Sequence, residues 1–178
     1  PYVQNMTLSV SRNITSRMTL DLRYIGTLSR KMYSNMDLNA PNFLYNGLKD
    51  AFDVARRGGE STVLDNLFRG MNISGAGVVD GVTQTGAGQL RGSPSTSGAL
   101  ANGNYHTLAS TLNTLTINCG LPGNGALAAC TQTDSQGRTL ASLSGSVLRQ
   151  NSPENLIKTN PQTNTAVYET NLGHTNYH

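Results

Sequence analysis

The chain contains no tryptophan, and aromatic residues make up only 6% of its 178 residues. Hydrophobic residues reach 37%, so the side chains available for a buried core are few for a domain of this length. No apolar run is long enough for a transmembrane helix, which excludes a helical membrane span from these residues. Charged residues account for 13% and form no dense Lys/Arg cluster, so we predict no nucleic-acid partner.

The chain begins at Pro1 rather than at methionine, and its first residues do not have the pattern of a signal peptide. We therefore expect the chain to be a processed piece of a longer protein.

Cysteine is scarce, with Cys119 and Cys130 as its two occurrences. The residues between them are rich in glycine and include one proline, which favours a turn that brings the two thiols together. We predict a disulfide formed in an oxidising compartment, and the alternative is a pair of free buried thiols. No third ligand lies at a usual spacing, so we predict neither a metal site nor a cofactor.

No group of residues typical of an active site is present, and we predict that the chain is not an enzyme. All three histidines lie in polar segments: His106, His174 and His178. Asp50 and Asp53 lie one turn apart on a predicted helix face that we expect to be solvated. Residues 142–146 carry serine where a nucleophile elbow needs glycine.

The first 28 residues alternate between apolar and polar side chains, which predicts a β-hairpin with one apolar face. The residues assigned to that face are Met6, Leu8, Val10, Leu20, Leu22 and Tyr24. An isolated hairpin is only marginally stable in water. We therefore expect lipid or other copies of the protein to cover this face.

The rest of the chain predicts short helices joined by segments rich in Gly, Ser and Asn. Apolar residues at helical spacing predict helices over residues 43–57, 61–71, 102–115 and 138–149. Residues 72–97 are predicted to form a loop, in which the valines at 78, 79 and 82 allow a short strand. The predicted fold is α+β, with a barrel-type hairpin at 1–28, a loop domain at 29–175, the start of a truncated strand at 176–178 and one disulfide.

Several stretches are similar to the Oar-like group of TonB-dependent outer-membrane receptors, which carry a carboxypeptidase-regulatory-like domain. These stretches cover residues 7–27, 38–61, 101–109, 153–157, 160–162 and 171–178. The resemblance implies a large β-barrel of which this chain is one slice. It places the turn near Thr15 in the periplasm, residues 29–175 outside the cell, the apolar hairpin face against lipid, and Asp21 and Arg23 in the lumen.

The family's plug domain and TonB-interacting segment are absent from these 178 residues, so the resemblance implies no transport by this chain alone. Open strand edges also favour pairing between chains. We therefore expect a non-enzymatic fragment, derived from the bacterial outer membrane, that assembles with copies of itself into an extracellular filament or tube. The alternative is a surface loop segment of an intact receptor, joined to the rest of its barrel and taking part in ligand binding and uptake. In that case Tyr33, Tyr45, Tyr105 and Tyr168 could line a carbohydrate or peptide surface.

Overall fold

A computed structural model describes residues 1–73, 78–79, 82–161, 163 and 165–177, with the backbone alone described at 78, 79, 82 and 83. The chain divides into two compact units. The sheet unit comprises Pro1–Leu38 and the chain from Thr165 onward, and the helical unit comprises Asn39–Asn164. The predicted α+β class with one disulfide is confirmed.

The strands are β1 (Tyr2–Thr15), β2 (Met18–Asp37), β3 (Val78–Val79), β4 (Val82–Thr83) and β5 (Val167–Tyr177). The α-helices are α1 (Leu48–Arg56), α2 (Thr62–Leu67), α3 (Gly86–Gly92), α4 (Ser97–Ala101), α5 (Tyr105–Thr114), α6 (Ala128–Thr131) and α7 (Ser146–Asn151). A short 3₁₀ helix covers Leu140–Ser142.

The sheet unit is an antiparallel sheet with the strand order β1-β2-β5. A two-residue turn, Ser16 and Arg17, joins β1 to β2. The hairpin is longer than the predicted range of residues 1–28, since β2 continues as far as Asp37. The strand predicted to begin at residue 176 is β5, which begins earlier, at Val167. His178 lies outside the described residues. The sheet is therefore longer than the alternating pattern alone predicts.

The helical unit is built around a continuous apolar core. In α1 the buried residues Leu48, Ala51, Phe52 and Ala55 follow the i, i+3, i+4, i+7 spacing of an amphipathic helix. Side chains from α2, α3, α5 and α7 contribute to the core together with smaller contributions from other elements, and its fully buried members include Leu64, Leu90, Leu108, Leu112 and Val147. The buried apolar residues of the described part of the chain therefore all lie in this unit.

The prediction of a loop over residues 72–97 is wrong where α3 and the start of α4 occur. Thr85 caps α3, since its Oγ1 accepts a hydrogen bond from the Gly88 N–H at 3.1 Å. Gly86 approaches α2 so closely that a Cβ there would lie 2.2 Å from the carbonyl carbon of Leu64. Glycine at position 86 is thus required for packing. Because glycine has a low helix propensity, α3 could not be predicted from the sequence. The short β3–β4 pair lies in the same segment, whereas the glycines at 75 and 77 are outside the described residues.

The helix predicted over residues 138–149 is also wrong as a single element. The chain forms the 3₁₀ helix first and then, after Gly145, helix α7. Gly145 has a φ of 77°, and a Cβ at this position would lie 2.5 Å from the carbonyl oxygen of Asn113. The left-handed conformation and the close approach both require glycine, and they interrupt the helical path.

The predicted disulfide between Cys119 and Cys130 is present, with the two Cα atoms 5.8 Å apart. The loop that it closes also carries Asn124, a buried side chain in the helical unit. The Oδ1 atom of Asn124 accepts the Asn72 N–H at 2.9 Å, while its Nδ2 donates to the Asn72 and Asn118 carbonyls at 2.8 Å each. The disulfide therefore closes this loop, and the Asn124 amide attaches the loop to the core through Asn72.

Removal of this disulfide by the double substitution Cys119→Ser and Cys130→Ser is expected to lower the free energy of unfolding by about 2–3 kcal/mol. The reason is that the open chain regains the conformational freedom lost on closing a loop between residues 11 positions apart. Urea unfolding followed by far-UV circular dichroism would measure the change. Reduction of the unaltered chain is the control and should give a similar loss; a loss below ~0.5 kcal/mol in both would contradict the prediction.

Candidate functional site: the apolar face of the sheet

The β1–β2 register places all six predicted residues on one face of the sheet. Leu8 lies opposite Tyr24 and Val10 lies opposite Leu22, while Met6 and Leu20 occupy the same face at either end. The six side chains, Met6, Leu8, Val10, Leu20, Leu22 and Tyr24, are between 44% and 62% exposed. We call this surface the apolar face. None of the six is buried, although together they form a contiguous apolar surface of the kind that marks an interaction site.

The opposite face of the hairpin is mainly polar, although the exposed Val3 and Ile25 also belong to it. Thr19 donates a hydrogen bond through Oγ1 to Asn13 Oδ1 at 2.7 Å, and Thr27 donates through Oγ1 to Asn5 Oδ1 at 3.1 Å. Asp21 and Arg23 belong to this face, opposite Ser11 and Ser9. We call it the polar face, and its composition suits contact with water.

Two arginines flank the apolar face along the strands. Arg12 lies opposite Leu20, and Arg30 lies opposite Tyr2. The ten positions from Leu20 to Arg30 on β2 correspond to roughly 33 Å at about 3.3 Å per residue. On this face of the hairpin, no other charged side chain lies between the two arginines. Sequence reasoning identified the apolar residues but missed the significance of Arg12 and Arg30, which the alternation itself could have indicated.

The two outer strands present open edges. In the order β1-β2-β5, each outer strand has one neighbour among the described residues. An open edge exposes backbone N–H and C=O groups that can pair with a further strand. Among the described residues, the outer edges of β1 and β5 are therefore unpaired within the sheet, and the side chains of the apolar face are exposed.

In the helical unit, Asp53 links two helices, although we expected it on a solvated helix face. Tyr105 of α5 donates a hydrogen bond to Asp53 Oδ1 at 2.5 Å, and Lys49 Nζ donates to Asp53 Oδ2 at 2.8 Å. The hydrogen bonds from Lys49 and then Tyr105 lower the pKa of Asp53. Burial, followed by the hydrogen bond to Asp53, raises the pKa of Tyr105. This arrangement joins α1 to α5 and is structural in character.

The four tyrosines considered for ligand contact do not belong to a single unit. Tyr33 and Tyr168 lie on strands of the sheet unit, whereas Tyr45 and Tyr105 lie in the helical unit. The Tyr105 ring packs against Phe43 and Phe52, with ring centroids 6.4 and 5.6 Å apart. Tyr45 is 89% exposed. Tyr105 therefore serves the core, and Tyr45 is the tyrosine of this unit that is free to meet a solute.

A cleft of about 620 Å³ lies beside the disulfide in the helical unit, and no charged side chain lines it. Among the described residues, no three His, Cys, Asp or Glu side chains are grouped so that they could hold a metal ion. No helix within the described ranges is long and apolar enough to cross a membrane.

Comparison of the chain with protein-family models, curated proteins and solved structures finds no match. Any function must therefore be inferred from the apolar face, the polar face and the open edges of the sheet.

Proposed function

We propose that the sheet unit is a segment of a larger antiparallel β-barrel in a bacterial outer membrane, with its apolar face towards lipid and its polar face towards a water-filled interior. In this proposal the chain belongs to a receptor of the Oar-like TonB-dependent group. The helical unit is an extracellular domain between two neighbouring strands, where it contacts ligands before uptake. The observation that carries the proposal is the exposed apolar face, which has no covering element among the described residues.

The extent of the apolar face agrees with the thickness of such a membrane. Strands of transmembrane β-barrels tilt by about 35–45°, so roughly 33 Å along a strand spans about 23–27 Å across the bilayer. The apolar band of outer-membrane barrels is about 25 Å tall. The distance between Arg12 and Arg30 is therefore suited to a strand that crosses this layer.

The two connections in the sheet differ in the manner of outer-membrane barrels. The β1–β2 turn contains two residues, whereas the chain between β2 and β5 forms the whole helical unit. Outer-membrane barrels have short periplasmic turns and longer extracellular loops. This asymmetry supports an extracellular helical unit.

The number and direction of the strands indicate whether copies of this chain or other polypeptide would complete the barrel. Both β1 and β5 pair antiparallel with β2, so they run in the same direction. In a ring of identical copies, β5 of one copy would therefore pair in parallel with β1 of the next. Because single-chain bacterial barrels are antiparallel with an even number of strands, the strand count favours completion by other polypeptide rather than by copies of this sheet.

The absence of tryptophan allows a direct test with one introduced tryptophan at a time. Val10→Trp places the probe on the apolar face, and the adjacent Ser11→Trp places it on the polar face. Each variant is diluted from urea into phosphatidylcholine vesicles with or without brominated acyl chains. The open edges prevent this chain alone from spanning a bilayer, so we expect it to adsorb with its apolar face inward.

Brominated lipid should quench the fluorescence of the Val10→Trp variant strongly and leave that of the Ser11→Trp variant nearly unchanged. Equal quenching at both positions, or quenching at neither, would contradict the assignment of the apolar face to lipid. Circular dichroism of both variants serves as the control for correct folding.

The second candidate is a filament or tube of copies, which the two open edges favour. The chain in vesicle-free buffer would then form regular filaments visible by electron microscopy. Monodisperse small particles at high protein concentration would contradict this candidate.

A further inference from the structure

We propose that Arg12 binds the phosphate of a phospholipid headgroup in the membrane leaflet nearest the β1–β2 turn. This inference rests on the proposed function and adds a specific lipid contact to it. Arg12 is exposed on the apolar face, next to Val10 along β1 and opposite Leu20, just before the register irregularity between Asn13 and Thr15. A guanidinium group in this position has apolar neighbours in Val10 and Leu20 and lies near the end of the apolar face.

The charge pattern of this face favours a phosphate. The charged side chains on the hairpin's apolar face are both cationic, Arg12 near the turn and Arg30 at the far end. A second copy packed face to face would bring cations into a surface that offers no carboxylate. A phospholipid supplies acyl chains for the apolar residues and a phosphate for the arginine.

The two arginines differ in their own partners. Arg30 donates through one terminal nitrogen to Asn176 Oδ1 at 2.7 Å and to the Ser29 carbonyl at 3.0 Å. The Arg12 guanidinium forms no hydrogen bond or ion pair with the described part of the chain, whereas its backbone belongs to the β1–β2 ladder, so its five side-chain N–H donors remain available. Guanidinium groups bind phosphate through two parallel hydrogen bonds, which makes Arg12 the better candidate for a lipid contact. Arg17 in the adjoining turn adds a second positive charge at the same end of the sheet.

The test compares the partition of the chain into vesicles of phosphatidylcholine alone and of phosphatidylcholine mixed equally with anionic phosphatidylglycerol. Arg12→Gln is expected to lower the partition into the anionic vesicles about fivefold, with a smaller change for phosphatidylcholine alone. Arg23→Gln removes the same charge from the polar face and is the matched control. Arg12→Lys keeps the charge but not the two parallel hydrogen bonds, so it should recover only part of the partition into anionic vesicles.

Equal losses for Arg12→Gln and Arg23→Gln would overturn the inference, because a general charge effect would then explain the binding. No loss for Arg12→Gln would overturn it as well. The difference in vesicle partition between the unaltered chain and Arg12→Gln should be the same in inorganic phosphate as in chloride at equal ionic strength. If inorganic phosphate abolishes this difference, the site takes free phosphate rather than lipid. Quenching of the Val10→Trp variant reports separately on the proposed function, which can hold even where the Arg12 contact fails.

Discussion

Replacement of Leu22 by lysine is expected to weaken the association of the sheet with lipid by about 2–4 kcal/mol. Leu22 is 59% exposed at the centre of the apolar face, opposite Val10. The lower figure is the loss of burial of one leucine. The upper figure is the cost of a lysine on the lipid-facing side of a barrel at the bilayer midplane, which is an upper limit for a chain that adsorbs without spanning the bilayer. Because a factor of ten corresponds to about 1.4 kcal/mol, vesicle partition should fall by roughly 30-fold or more.

The matched control for Leu22→Lys is Ser11→Lys, which introduces the same charge on the polar face opposite Asp21. Sedimentation with phosphatidylcholine vesicles would measure both variants against the unaltered chain. The control should change partition by less than about threefold, since a lysine on the water-facing side is not desolvated. Similar losses in both variants would show that the apolar face is not the lipid-contacting surface.

Phe52→Ala is expected to lower the free energy of unfolding of the helical unit by about 3–5 kcal/mol. Phe52 lies on α1, has no exposed surface and packs against the Tyr105 ring at a centroid distance of 5.6 Å. Its truncation removes apolar contacts and leaves a cavity between α1 and α5. Tyr105 also holds Asp53, so the loss of its packing partner loosens the same helix pair.

Urea unfolding followed by the helical circular dichroism signal would measure the effect of Phe52→Ala. Val63→Ala is the control, because Val63 lies on α2 and is 41% exposed. The control should change stability by less than ~1 kcal/mol. A loss below this value for Phe52→Ala would mean that α1 does not pack as described.

The hairpin could be predicted because strand alternation is a local property. The polar and apolar positions of residues 6–11 and 18–24 define two faces without reference to any other part of the chain. The extension of β2 to Asp37 could not be predicted in the same way. Lys31 has a φ of 55°, and the pairing with β5 shifts register between Ser29 and Ser34. Both irregularities interrupt the alternation, and the strand is completed by a partner more than a hundred residues away.

The helical unit shows the same limit. Helix α1 was predicted from the spacing of Leu48, Phe52 and Ala55, although it begins only after Gly47, which has a φ of 80°. Helix α3 depends on Gly86, whose role is to permit close contact with Leu64. Glycine indicates a loop when only local propensity is considered, and its packing role requires the tertiary structure. The link between Asp53 and Tyr105 was missed for the same reason, since these residues lie 52 positions apart.

The end of β2 and the start of β5 lie side by side, which allows the segment between them to be replaced. Asp37 and Val167 are paired directly, and beyond them the Leu38 N–H donates to the Ala166 carbonyl at 2.8 Å. The Ala166 N–H in turn donates to Asp37 Oδ1 at 2.9 Å. The polypeptide thus leaves the sheet and returns to it at neighbouring backbone positions, a geometry that tolerates domain insertion. A segment of different length or fold could therefore replace the helical unit, provided that its two ends are adjacent. The surface that contacts ligands could then change while the register between β2 and β5 stays fixed.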